Sequence, residues 1–118
     1  MEYRRSDRVA DQLHREIADL ILRRVKDPRV ANLTITGVDL SPDLKHARVF
    51  YCIMGGSTDE NVKKNAVSGL DKAKGFIRQE IGKRLRLRYV PQFNFEYDIS
   101  FDYGDKIERL LKELPKDD

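Results

Sequence analysis

Val9, Leu13, Ile17, Leu20, Ile21 and Val25 recur at helical spacing and predict an amphipathic helix near the start of the chain. Ser6 suits the N-cap, and Asp7 suits the positive end of the helix dipole. Arg23, Arg24 and Lys26 suit its negative end. Pro28 is expected to stop the helix, because a residue before proline is pushed out of helical geometry. The period then changes. Across residues 33–40, Leu33 and Ile35 share a face, and after Gly37 the apolar phase moves to Val38 and Leu40, which predicts a strand with a bulge at the glycine. Ser41-Pro42-Asp43-Leu44 reads as a turn with proline at its second position. Residues 45–54, dense in β-branched and aromatic side chains, read as a second strand, completing a hairpin.

Gly55 and Gly56 break that strand, and Ser57, Thr58, Asp59 and Glu60 form a capped, acidic helix start. Val62, Ala66, Leu70 and Ala73 point inward from this helix, and Phe76, Ile77, Ile81 and Leu85 carry an apolar stripe onward. Gly75 interrupts the helical pattern at a cost of about 1 kcal/mol relative to alanine. A glycine there predicts a kink or a close backbone approach, so two central helices are expected, joined at Ala73-Lys74-Gly75. Pro91 opens a third strand, in which Phe93, Phe95 and Tyr97 alternate with Asn94, Glu96 and Asp98. Such an aromatic row can stack RNA bases, but covering one face of a small sheet accounts for it more simply. Gly104 or Asp105 opens a short last helix with Ile107, Leu110, Leu111 and Leu114, stopped at Pro115. The order αββααβ with a short terminal helix implies an α+β fold, its helices packed on one face of a three-stranded sheet. Residues 1–118 are expected to form one domain, ordered over about 6–114.

Charge changes the picture more than composition does. Charged residues make up 36% of the chain, yet the net charge is only +3, so any basic surface must come from segregation. Residues 72–91 hold Lys72, Lys74, Arg78, Lys83, Arg84, Arg86 and Arg88 against a single acid, Glu80. Beyond residue 95 acids outnumber bases by eight to four. That asymmetry points to an anionic partner for the basic stretch, with Arg4, Arg5 and Arg8 assisting from the first helix. A solvated helix face is the plain alternative. Lys45 and Arg48 are weaker candidates.

Other chemistry is thin. Cys52 is the one cysteine, so no internal disulfide is available, and it lies in an apolar run with no base that the sequence assigns to it. His46 has no metal-ligand cluster around it, and no metal or other cofactor is expected. The Gly55-Gly56 segment lacks the Lys-Ser/Thr pair of a phosphate loop and precedes an acidic helix start that repels phosphate. No apolar run approaches the ~18 residues of a membrane span, and the first residues lack the apolar core of a signal peptide, so a cytoplasmic protein is expected.

The order αββααβ resembles the type II KH-like RNA-binding domain, which normally joins its central helices through a GxxG loop that clamps nucleic-acid backbone. This chain has Ala73-Lys74-Gly75, an AxG element, instead. That departure, with the RSDRVADQL helix start at 5–13, DPR at 27–29, TITGVDLS at 34–41, KAKGFIRQEIGKRLRLRYVP at 72–91, FNFEYD at 93–98 and IERLL at 107–111, resembles the bacterial ribosome-binding factor A family over nearly the whole chain. The resemblance implies a non-enzymatic factor that binds the free small (30S) ribosomal subunit and its rRNA. It further implies assistance in late maturation, including folding and processing of the rRNA 5′ end, and a role in cold adaptation. An assembly GTPase is a further implied partner, and a monomer is the default state. The long basic C-terminal tail of some members is nearly absent here.

Two other functional classes fit the sequence less well. A nuclease that trims rRNA would need a carboxylate cluster of metal-binding geometry, whereas Asp59-Glu60 and Asp102 with Asp105 read better as helix starts. A general RNA-binding or protein-interaction module using the amphipathic helix is the non-catalytic alternative.

Overall fold

The computed structural model describes residues 4–54 and 59–100. The expected C-terminal helix around Ile107, Leu110, Leu111 and Leu114, and the Gly55-Gly56 break with the Ser57 and Thr58 cap, lie outside the described residues.

Helix α1 spans Arg5–Arg23 and buries Ser6, Val9, Ala10, Leu13, Ile17, Leu20 and Ile21, close to the apolar face read from the spacing. Its boundaries differ from expectation at both ends. Arg4, not Ser6, is the N-cap residue, and its backbone N–H donates to Asp7 Oδ2 at 2.9 Å. Ser6 sits inside the first turn and is buried. At the other end the helix closes at Arg23, where the N–H groups of Arg24 and Val25 both donate to the Leu20 carbonyl, at 2.8 and 2.9 Å. Pro28 therefore does not stop it. Pro28 instead opens a short 3-10 helix, Pro28–Val30, whose missing N–H costs nothing at that position. Asp27 caps this turn by accepting from the Arg29 N–H at 2.9 Å.

Strand β1 (Leu33–Leu40) and strand β2 (His46–Ile53) pair antiparallel. Ile35 faces Tyr51 and Gly37 faces Phe50, so Thr36 is the extra residue of a bulge. The bulge is the device that lets Ile35 and Leu40, of opposite parity, both enter the core. It sits one residue before the glycine, and a Cβ at Gly37 would meet nothing within 4 Å. The connecting turn closes with the Leu44 N–H on the Ser41 carbonyl at 2.8 Å, as the Pro42 position indicates. Leu44 follows with φ 63°. A left-handed non-glycine residue costs about 1–3 kcal/mol, and partial packing of this side chain against the core offsets that cost.

Helix α2 runs unbroken over Glu60–Leu85, with Asp59 as its N-cap. The two central helices expected on either side of Ala73-Lys74-Gly75 are one. The physical reason is the stripe itself: Ala66, Leu70, Ala73, Ile77, Ile81 and Leu85 recur at spacings of four and three, so one helix buries them all. Gly75 is exposed on the opposite side, and a Cβ there would meet nothing within 4 Å. The tightest approach is at Gly69, where a Cβ would stand 2.9 Å from Val30 Cγ1 and 3.2 Å from Arg29 Cβ; at Gly82 it would stand 3.1 Å from Val90 Cγ2. Val62, expected inward, is 36% exposed at the helix start.

Strand β3 (Gln92–Tyr97) pairs parallel with β2, giving a three-stranded sheet in the order β1-β2-β3. A parallel neighbour needs a long crossover, which α2 supplies. The strand ends at Tyr97, with the Asp98 N–H still donating to the Tyr51 carbonyl at 2.7 Å, and Ile99 and Ser100 are helical. Phe93 is buried, while Phe95 and Tyr97 are partly buried against the same core, so the aromatic row covers the inner face. That core joins Leu13, Ile17 and Leu20 of α1, Leu70, Ile77 and Ile81 of α2, and Ile35, Val49, Tyr51 and Phe93 of the sheet. The outer face carries Arg48, whose Nη2 lies 2.7 Å from Glu96 Oε2, and the Thr36 hydroxyl, which donates to Asp98 Oδ2 at 2.6 Å.

Candidate nucleic-acid interface

A cation serves a polyanion only if it is not already committed to a neighbour within the fold. By that criterion the basic stretch divides in two. Arg84 Nη1 donates to both Glu16 Oε2 and Asp19 Oδ2 on α1, each at 2.8 Å. The hydrogen bond from Arg84 is the main influence holding the Asp19 carboxyl below its ordinary value, and the two carboxylates raise the guanidinium in return. Arg78 is half-buried and donates from Nη2 to the Val90 carbonyl and from Nε to the Pro91 carbonyl, at 3.3 and 3.4 Å. It thereby ties α2 to the segment that enters β3. Lys83 lies 3.8 Å from Glu80 one turn back on its own helix. Arg78 and Arg84 thus hold the fold together first, whereas the Lys83 contact stays within α2 and contributes little.

Lys72, Lys74, Arg86 and Arg88 form no ion pair among the described residues, although Lys72 lies near enough to Asp27 for its charge to help lower that carboxyl. Lys72 is exposed at mid-helix and lines a shallow cleft of about 230 Å³ with Lys26, Asp27, Gly69, Ala73 and Phe76. Arg24 lies beside it, its guanidinium 5.9 Å from the Phe76 ring centre. Arg24 and Lys26 thus reinforce Lys72, a grouping the sequence did not reveal because they suit the end of α1 equally well as dipole partners. Asp27 does not cancel this patch. Arg29 grips its carboxylate through Nε and Nη2, at 2.7 to 3.1 Å, and with the Arg29 N–H lowers its pKa to about 2.

At the C-terminal end of α2, Arg86 caps the helix in the left-handed conformation, φ 49°, and is exposed. Arg88 stacks over Tyr89, 5.5 Å from its ring centre. Arg5 of α1 meets Arg88 and Lys45 around a second cleft. Arg4 and Arg8 are exposed on the same first turns of α1. The geometry therefore gathers two cationic groups, one beside the middle of α2 and one at its C-terminal end. About 20 Å of helix separates Lys72 from Leu85 at 1.5 Å per residue.

Arg48, on the outer sheet face, is committed to Glu96 and lies over Phe50, 5.0 Å from the ring centre. Cys52 is fully buried. Among the described residues no group of three or more His, Cys, Asp or Glu stands where it could hold a metal ion. No helix among them is long and apolar enough to cross a membrane.

The family model described as "Ribosome-binding factor A" matches residues 5–111. A ribosome-binding factor A from Syntrophobacter fumaroxidans is 61% identical across the full length of both chains. One from Syntrophus aciditrophicus is 49% identical over 99% of this chain and 93% of its own. Among solved structures, the crystal structure of ribosome-binding factor A from Thermus thermophilus superposes with a TM-score of 0.67 at 26% identity, over 78% of this chain and 93% of that one. A Thermus thermophilus homology model, fitted into a cryo-EM map of a complex between the 30S subunit and that factor, gives a TM-score of 0.60 at 26% identity, over 74% of this chain and 88% of that one. A match of this length and identity shows that the chain belongs to the ribosome-binding factor A family.

Proposed function

We propose that this protein binds the small ribosomal subunit during its late maturation, as a non-catalytic RNA-binding factor acting in the cytoplasm. The observation that carries the reading is family membership over residues 5–111, together with a structural neighbour fitted into a map of a 30S complex. The chemistry agrees. Lysine and arginine displace counterions from phosphate, and Lys72, Lys74, Arg86 and Arg88 are the residues best placed to do so, with Arg4, Arg5 and Arg8 at one end. Arg78 and Arg84 serve chiefly to position the helix that presents them. The finer reading is a KH-like single domain in which the Ala73-Lys74-Gly75 segment of α2, exposed at Gly75, faces RNA. Its action would be to promote folding and processing of the rRNA 5′ end, with an assembly GTPase acting on its release.

The test is binding of the purified protein to isolated small subunits across a salt series. Affinity should fall as salt rises. Replacing Lys72, Lys74, Arg86 and Arg88 together by glutamine should flatten the salt slope by about three to four units if each meets one phosphate. No binding at low salt, or affinity indifferent to salt, would sink the proposal. Loss of the factor should also leave rRNA precursors with unprocessed 5′ ends; normal 5′ ends would remove that part of it.

A further inference from the structure

Where the start of α1, the β1-β2 turn and the α2-β3 connection meet, they enclose a cleft of about 280 Å³. Its apolar lining comes from Val9, Leu44, Leu87, Tyr89 and Pro91, and its cations are Arg5, Lys45 and Arg88. The volume falls below the roughly 300 Å³ at which pockets begin to take drug-sized ligands, so the occupant is small or is one part of something larger. Tyr89 is 72% exposed, an unusual position for a large aromatic ring, and the Arg88 guanidinium lies 5.5 Å from its ring centre. The one acid in the lining, Asp43, is exposed, and one of its oxygens is bonded within the turn. It accepts from the Ser41 hydroxyl at 2.6 Å and from the Lys45 N–H at 3.0 Å, and those bonds hold its carboxyl below the ordinary range. The His46 N–H donates to Ser41 Oγ at 3.0 Å, so the turn that carries Leu44 and Lys45 is already bonded in place.

An apolar floor, an exposed aromatic ring and three cations against one internally bonded carboxylate match one ligand chemistry: a flat heteroaromatic ring joined to phosphate. We propose that this cleft is a subsite for a single unpaired nucleotide of RNA. The base stacks on Tyr89 above Leu44 and Leu87, and Arg5 and Lys45 meet its flanking phosphates. Duplex RNA does not fit, because its bases are stacked on one another and their faces are covered. The inference rests on the RNA-binding reading above but adds a distinct recognition mode, stacking on an extruded base, at the end of the sheet remote from Ala73-Lys74-Gly75.

The experiment measures the affinity of the full chain for a short single-stranded RNA carrying one 2-aminopurine, for an RNA duplex of equal charge, and for isolated small subunits. Tyr89→Ala should weaken single-strand binding about tenfold and abolish the 2-aminopurine quenching, because one base-aromatic stack contributes on that scale. Tyr89→Phe should retain both. Duplex affinity should not change with Tyr89→Ala. Lys45→Gln should reduce the salt slope by about one unit, which Tyr89→Ala should not. The exposure of Tyr89 makes misfolding easy to check by an unchanged thermal melt. Equal single-strand affinity of Tyr89→Ala and the parent would overturn the subsite, as would equal losses on single strand and duplex, or quenching displaced by a peptide. If the parent still binds small subunits in those cases, the function proposed above stands and only the subsite fails. If the parent binds neither RNA nor subunits, both fail.

Discussion

Arg84 on α2 reaches back to Asp19 on α1, its Nη1 2.8 Å from the Asp19 Oδ2, and so clamps the two helices that cover the sheet. The same guanidinium serves Glu16, and Asp19 also meets Arg23 at 3.0 Å. A residue whose sequence context suggests an RNA contact is thus first an interhelical tie.

That assignment separates the cations by experiment. Arg84→Ala should lower the melting temperature and leave the salt slope of subunit binding almost unchanged. Lys72→Gln and Arg86→Gln should do the reverse, each flattening the slope by about one unit without shifting the melt. Thermal melts paired with salt titrations of the three variants decide it. A steep loss of salt dependence in Arg84→Ala would place that side chain on the RNA instead.

Two glycines of α2 should respond oppositely to alanine. At Gly69 the new methyl would stand 2.9 Å from Val30 Cγ1 and 3.2 Å from Arg29 Cβ, and Val30 is 1% exposed with little room to yield. Overpacking of this kind costs about 1–3 kcal/mol, enough to outweigh the helix propensity gained. At Gly75 nothing lies within 4 Å, so Gly75→Ala should stabilise by up to about 1 kcal/mol. Urea denaturation of both variants reads the two signs directly.

Asp27 should couple stability to acid pH. Its folded pKa of about 2 lies below the ordinary value of 3.8, chiefly because the Arg29 side chain and then the Arg29 N–H donate to it. A depressed carboxyl stabilises the fold fully above its unfolded pKa, and that contribution is lost as pH falls through the folded one. The loss should therefore develop from below pH 3.8 down to about 2, and Asp27→Asn should remove it. A carboxyl titration followed by NMR that places Asp27 near 3.8 would contradict the assignment.

Phe93 should dominate the sheet side of the core. It is 1% exposed, whereas Phe95 and Tyr97 in the same row are only partly buried. Phe93→Ala should cost about 3–5 kcal/mol. Phe95→Ala should cost less, because a partly exposed ring loses less buried area and leaves a cavity that water can enter. Equal losses in denaturant would mean that the row is packed uniformly.

Most of the elements are legible in the chain, because periodicity is a local property. Spacings of three and four marked the buried faces of both helices, alternation marked Phe93, Phe95 and Tyr97, and the phase change after Ile35 marked the bulge to within one residue. Motifs in order along the chain indicated the family. What local pattern could not decide were boundaries and glycines. Pro28 suited a helix stop and a 3-10 start equally well. Gly75 breaks the helical pattern most visibly, although the tightest contact is at Gly69, whose neighbours Val30 and Arg29 lie some forty residues away in the chain.

The sequence by itself determined which residues are apolar and at what period, and therefore which elements form and which faces they bury. It also determined that positive charge is concentrated in residues 72–91. Tertiary structure alone decided the parallel pairing of β3 with β2, the single unbroken α2, and which of those charges remain available. The reason is that a cation's freedom depends on what stands beside it across the fold. The partners of Arg84 are 65 and 68 residues away, while Lys72 and Arg86, on the same stretch, form no ion pair among the described residues.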